Sequence, residues 1–226
     1  METLLARTRA WLEGAGLAQG PHRAALAVSG GLDSAVLMHL LARLAPELGW
    51  ALAILHVDHA LRPTSAHDAA LVAALAERAA LPFAGGRTPV RPRRGESLEM
   101  AARRVRYAFL EDAASRLDCD LIATAHHADD VAETVLMRLA RGSGAGALGI
   151  PPRNGRLIRP LLHATRAELA GYARQHRLVY LTDPSNADRA IPRNRVRHEW
   201  LPLMTATEPG VVRGLNRTAA LARMDD

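Results

Sequence analysis

The chain has 226 residues, 49% of them hydrophobic and 23% charged, a composition that builds a sizeable core and excludes a fibrous or disordered protein. A single cysteine, Cys119, argues against a disulfide framework and against a cysteine-built zinc or iron–sulfur site, and the sequence has no apolar run near the ~20 residues of a membrane span. All 29 basic side chains are arginine, and the net charge of +6 sits wholly in residues 151–226, with 13 Arg against 7 acidic residues, while residues 1–150 balance at 16 of each. That asymmetry points to an anionic partner for the last third. Residues 1–9 carry no secretory pattern, so a cytoplasmic protein is expected.

Short apolar runs alternate with amphipathic helical patterns, the rhythm of a parallel α/β fold. Residues 2–14 read as a helix, 24–28 as a buried strand, 34–45 as an apolar helix and 51–57 as a second strand. Ser65, with Asp68 three residues on, opens a helix to about residue 80. Leu98, Ala102, Val105, Phe109, Ala113 and Leu117 step by three and four, which predicts a long amphipathic helix over 96–117. A strand over 121–125 and a helix over 129–141 follow. Gly142 to Gly155 is too rich in Gly and Pro for regular structure over its length. Residues 157–162 read as extended, and Thr165 with Glu168 caps a helix to about residue 177. After a polar stretch over 182–197, helices are expected near 196–204 and from about 208 to the end. Val196, Trp200 and Leu203, at steps of four and three, should anchor the first of these to the core.

Three strands end in polar clusters, and in an open parallel sheet the carboxyl ends of the strands share one edge, where ligands bind. The first cluster is Ser29, Gly30, Gly31, Leu32, Asp33 and Ser34. Two glycines before a helix N-terminus suit a phosphate or pyrophosphate, and Asp33 suits Mg²⁺ on it. The loop lacks the lysine of GxxxxGK[ST] and is not GxGxxG. The second cluster sets His56, Asp58 and His59 beside Arg62. In the third, Asp130 and Glu133 are three apart and share a helix face just after His126 and Asp129. Such a carboxylate pair can hold Mg²⁺ or an ammonium group, or can merely favour the helix dipole. Arg103 and Arg106 lie off the apolar stripe, to meet phosphates or solvent. Arg193 and Arg197 are four apart on one face, with Arg195 turned away, and read as part of a phosphate- or RNA-facing surface.

SGGLDS resembles the pyrophosphatase loop of the adenylating PP-loop ATPases. With HVDHALR, ESLEMAARRVRYAFLE, ATAHHADDVAET and RNRVRHEWLPLM following in order, residues 24–204 resemble the tRNA(Ile)-lysidine synthase family of that superfamily. The resemblance implies an α/β fold, a doubly wound, mostly parallel sheet flanked by helices with a short basic helical extension. It divides the chain into an ATP-binding catalytic domain, 1–150, and a remainder of the catalytic region with the extension, 151–226. It implies a ligase that uses ATP and Mg²⁺ to adenylate the wobble cytidine of a tRNA(Ile) with a CAU anticodon. Free L-lysine then displaces AMP. By the same resemblance Ser29 to Ser34, Asp58 and His126 bind the nucleotide, and Asp33 and Asp130 serve the metal. Asp33, Asp130, Glu133 and Arg197 act in catalysis, while Arg103, Arg106, Asp129, Glu133, Arg193 and Asn194 bind substrates. Glu133, with a neighbouring carboxylate, holds the lysine. The resemblance leaves room for a homodimer. A tRNA thiolase or another PP-loop enzyme is the nearest alternative. A metal-dependent phosphohydrolase would leave SGGLDS idle, and a non-catalytic nucleic-acid-binding module would leave the strand-end clusters unexplained.

Overall fold

A computed structural model describes residues 3–58, 65–142, 148–183 and 187–223. The sequence readings of His59 and Arg62, and parts of those over 142–155 and 182–197, lie outside these residues. Helix α1 (Leu4–Gly14) precedes an alternation of β1 (Arg23–Ala27), α2 (Leu32–Leu48), β2 (Ala51–Asp58), α3 (Ser65–Arg78), β3 (Phe83–Arg87), α4 (Leu98–Arg116), β4 (Leu121–Ala123) and α5 (Ala128–Ala140). Then come β5 (Arg153–Asn154), β6 (Leu157–Ile158) and α6 (Arg166–Gln175). The strands form one sheet in the order β3-β2-β1-β4-β6-β5, parallel except for β5 against β6.

Successive strand side chains point to opposite faces, and the two cores follow that alternation. Ala24, Leu26, Leu52, Ile54, Leu121 and Ala123 pack with α1, α2, α3 and α6. Ala25, Ala53, Leu55 and Ile122 pack with Leu110, Ala113 and Ala114 of α4. The chain leaves β1 in one direction to build β2 and β3, then returns to lay β4 on the other side of β1. That reversal opens a crevice between the carboxyl ends of β1 and β4.

Two elements depart from the pattern read in sequence. Strand β3 has little apolar signal because Gly85 and Gly86 sit in it. A Cβ on Gly86 would lie 2.2 Å from Cε2 of Phe109, so the glycine is there to admit that ring. In α4 the buried residues are Ala101, Leu110, Ala113 and Ala114, whereas Leu98 is 53% exposed, so the predicted stripe is out of phase at its start.

The last segment wraps α5. Helix α7 (Pro192–Arg195) runs through a π-helical turn, Val196–Trp200, into α8 (Leu201–Thr207), and α9 (Val211–Ala222) follows. Leu201 N donates to Val196 O, five residues back, and Pro202 next to it has no N–H to restore the α pattern. The wide turn moves the buried position from residue 200 to 201. Val196 and Leu201 pack on Ala132, while Trp200 is 40% and Leu203 73% exposed, which corrects the expected anchors. A second small core joins Val131 and Val135 to Ile150 and Ala219.

The π turn therefore has a measurable consequence. Leu201→Ala should cost about 2–4 kcal/mol and Trp200→Ala under about 1 kcal/mol in urea unfolding. An uninterrupted α-helix demands the reverse order.

Candidate active site

Val28 N still donates to Leu55 O at 2.8 Å, so the chain quits the sheet at Ser29. Gly30 then adopts φ +89°, which disfavours a side chain, and its carbonyl accepts from Leu181 N at 2.8 Å. Gly31 caps α2 without a side-chain hydrogen bond, so the first turn of a 17-residue helix keeps its amides for a ligand anion. Ser29 Oγ accepts from Gly31 N at 3.3 Å and lies 3.2 Å from Ser34 Oγ, which donates to Gly31 O at 2.9 Å. Asp33 stands in that first turn, one carboxylate oxygen buried without a hydrogen-bond partner.

At the end of β2, His56 is buried and its Nδ1 is 2.8 Å from Val28 O. Asp58, also buried, has Oδ2 3.7 Å from Arg87 Nε. At the end of β4, Thr124 Oγ1 and His126 Nδ1 share a hydrogen bond of 2.9 Å. Burial, with the positive charges of Arg159, Arg193 and Arg103, outweighs Asp130 and pushes the His126 ring down to about 3. His126 is a neutral ring at physiological pH.

His127 is the opposite case, and the sequence reading passed over it. It is fully buried, its Nε2 3.6 Å from Asp33 Oδ2 and 3.5 Å from Asp130 Oδ2, its Nδ1 3.6 Å from Asp129 Oδ2. Burial works against its charge, but the surrounding carboxylates, Asp130 foremost, raise it to about 10. An imidazolium thus joins the ATP-loop candidate Asp33 to the first turn of α5. Asp129 and Asp130 are held below the usual carboxylate range: burial opposes this, and the His127 ring, joined by the Arg166 amide at Asp129 and by the Arg193 charge at Asp130, outweighs it. Asp129 also accepts from Arg166 N at 2.8 Å, and Asp130 from His127 N at 3.0 Å.

Glu133, with no exposed surface, is closed by two guanidiniums. Arg193 Nε donates to its Oε2 at 2.7 Å, Arg197 Nε to its Oε1 at 2.6 Å, and Arg197 Nη2 to Oε2 at 3.0 Å. The same arginines reach Asp130 Oδ1 at 3.2 and 3.4 Å. The two arginines share a face and Arg195 is exposed, as their spacing predicts. That face turns inward onto α5, however, and not outward as the expected phosphate-facing surface, because the carboxylates of α5 lie directly beneath it. Asn194 is likewise buried, donating to Asp188 O at 2.9 Å, so it holds a turn instead of facing an open site.

Arg103 and Arg106 are exposed on α4. Arg103 lies 5.0 Å over the Tyr107 ring, and desolvation of the Arg106 guanidinium, with the charges of Arg103 and Arg193, holds it below its usual range. Beside Glu133 a cavity of about 380 Å³ is lined by Asp129, Arg166, Arg197, Leu201 and Val212. A larger one, about 540 Å³, opens by Trp50 and Cys119 among alanines at the amino ends of the strands, away from these clusters. Cys119 is core, 5% exposed. Among the described residues no three His, Cys, Asp or Glu are grouped to hold a metal by themselves, and no helix is long and apolar enough to cross a membrane.

Comparison with known proteins identifies the family and the fold. A family described as a PP-loop domain matches residues 5–204. The chain is 44% identical over 204 residues to a tRNA(Ile)-lysidine synthase of Pseudomonas fluorescens, covering 88% of this chain and 45% of that protein. It is 46% identical over 197 residues to the protein of the same name from Thermus thermophilus, covering 86% of this chain and 38% of the other. For the Geobacter sulfurreducens protein of that name the figures are 39%, 100% and 49%. The chain thus spans less than half the length of these curated relatives. Among solved structures, the U34-tRNA thiolase NcsA from Methanococcus maripaludis superposes with a TM-score of 0.80 at 18% identity, over 96% of this chain and 78% of that one. An NH₃-dependent NAD synthetase from Campylobacter jejuni gives 0.51 at 15% identity, over 96% and 91%. At such identities these structures speak for the fold alone.

His127 gives a pH signature. Its raised pKa contributes stability that is complete below about 6.5 and is lost as pH rises through about 10. Between those values unfolding free energy should fall with a slope of at most about 1.4 kcal/mol per pH unit, and His127→Gln should flatten it. Identical slopes in parent and variant would show that the ring is not charged in the folded state.

Proposed function

The chain belongs to the PP-loop domain family, and from that premise we propose that it is the catalytic part of an ATP-dependent tRNA(Ile)-lysidine ligase. The observation that carries the proposal is the convergence of SGGLDS and the HHADDVAE segment at the β1–β4 crevice, tied together by His127. The wobble cytidine's 2-carbonyl oxygen attacks the α-phosphorus of ATP and pyrophosphate leaves. A neutral lysine amine then attacks C2, AMP departs with the oxygen, and the amine gives up its proton.

Each site residue has work suited to its surroundings. The amides of the Gly30–Gly31 turn and of the α2 start, with the Ser29 and Ser34 hydroxyls, receive the departing pyrophosphate charge. Asp58 and the neutral His126 line the nucleotide side. Arg103 and Arg106 meet tRNA phosphates from the exposed face of α4. Asp33, with its orphaned oxygen, fits a magnesium ion carried by ATP, with Asp130 as second carboxylate. When bound, that ion would neutralise charge on the phosphates.

Free lysine fits the cavity beside Glu133. Asp129 and Glu133 suit its ammonium groups, Arg166 and Arg197 its carboxylate, and Leu201 and Val212 its methylene stem. Arg193 and Arg197 already meet the Glu133 charge, so lysine binding there must share or displace a guanidinium. A homodimer and a cytoplasmic site of action belong to the same proposal.

The test is AMP and pyrophosphate release from ATP that depends on both lysine and a CAU-anticodon tRNA. Asp33→Asn should cut it at least about 100-fold while leaving the unfolding midpoint within a few degrees. Near-normal turnover would remove Asp33 from the site, and ADP as product would remove the adenylation chemistry.

A further inference from the structure

Arg159 stands one residue beyond β6, beside the end of β4: Ala123 pairs with Ile158, and Thr124 N donates to Ile158 O at 3.0 Å. It is 2% exposed, which is rare for an arginine without a carboxylate partner. Its Nη1 donates to Pro151 O at 2.5 Å, its Nε is buried with no partner, and among the described residues no carboxylate lies within ion-pair distance of it. Asp130, the acid that acts on His126, spends Oδ1 on Arg193 and Arg197 and Oδ2 on the His127 amide. Arg159, Arg193 and Arg103 all act on the partly exposed His126 ring, which carries no charge to answer them. A buried guanidinium without a counter-charge is costly, and among the described residues none is supplied here.

We propose that Arg159 forms the floor of a phosphate subsite at the carboxyl ends of β4 and β6, its charge completed by a phosphoryl group bound beside Thr124 and His126. Two sources share that chemistry, the phosphates of ATP and a backbone phosphate of the RNA. The proposal rests on the reading of a phosphate-handling site but not on ligation, so it is tested without lysine.

Arg159→Met removes the charge and the bond to Pro151 O, whereas Arg159→Gln removes the charge but keeps a polar side chain with an amide donor. Binding of inorganic pyrophosphate, ATP and tRNA is measured by calorimetry, with thermal unfolding alongside. The expected result is at least about tenfold weaker binding of pyrophosphate and ATP in both variants, with unfolding temperatures no lower than the parent's. If tRNA binding alone weakens tenfold and its salt slope falls by about one, the phosphate is the RNA's and the subsite stands. If binding of all three is unchanged while Arg159→Met unfolds earlier and Arg159→Gln does not, Arg159 is a strut for the Pro151–Pro152 segment and the proposal fails. It fails equally if the parent binds none of the three. Should Arg159→Met not fold, binding by Arg159→Gln decides alone.

Discussion

A carboxylate without exposed surface needs its charge met at close range, and Glu133 has that from Arg193 and Arg197. Stripping one partner from such a pair typically costs about 3–5 kcal/mol, so α5 and the α7–α8 segment are fixed to one another at this point. The rest of the site depends on that docking. It brings Leu201 and Val212 beside Glu133, walls off the cavity there, and turns the basic segment's best-placed arginines onto acids instead of solvent. The C-terminal third is thus part of the site's wall.

The same economy of charge governs the other half of the crevice. His127 sits among Asp33, Asp129 and Asp130, so a buried cation offsets carboxylates that would otherwise repel one another. Beside it His126 stays neutral, although the two rings are adjacent in sequence. The difference is local: His127 has three acids at its ring nitrogens, while His126 has a threonine hydroxyl and a field of arginines. Phosphate chemistry needs such division, with donors and cations toward the anion and a few fixed acids for a metal or an ammonium group.

Much of this was legible in sequence because strand-end clusters and helix spacing carry their own geometry. SGGLDS sits at the end of β1 and opens α2, the Thr165–Glu168 capping box forms, and the four-residue step from Arg193 to Arg197 puts both on one face. What escaped reading depends on tertiary contacts. Strand β3 is hidden by Gly85 and Gly86, the second of which admits the Phe109 ring. The inward aim of Arg193 depends on acids 60 residues away in sequence. The π turn, which exchanges Trp200 for Leu201 in the core, follows from backbone hydrogen bonding that side-chain periodicity does not express. The doubled histidine was visible, but which ring would be charged was not.

In the proposed reaction the β1–β4 crevice activates an RNA carbonyl as an adenylate before lysine arrives. Single-turnover incubation with ATP labelled at the α-phosphate and a CAU-anticodon tRNA, with lysine withheld, addresses it directly. The expected result is label attached to the RNA, released as AMP when lysine is added. Label found only in ATP or ADP, with none on the RNA at any time and none released by lysine, would contradict it.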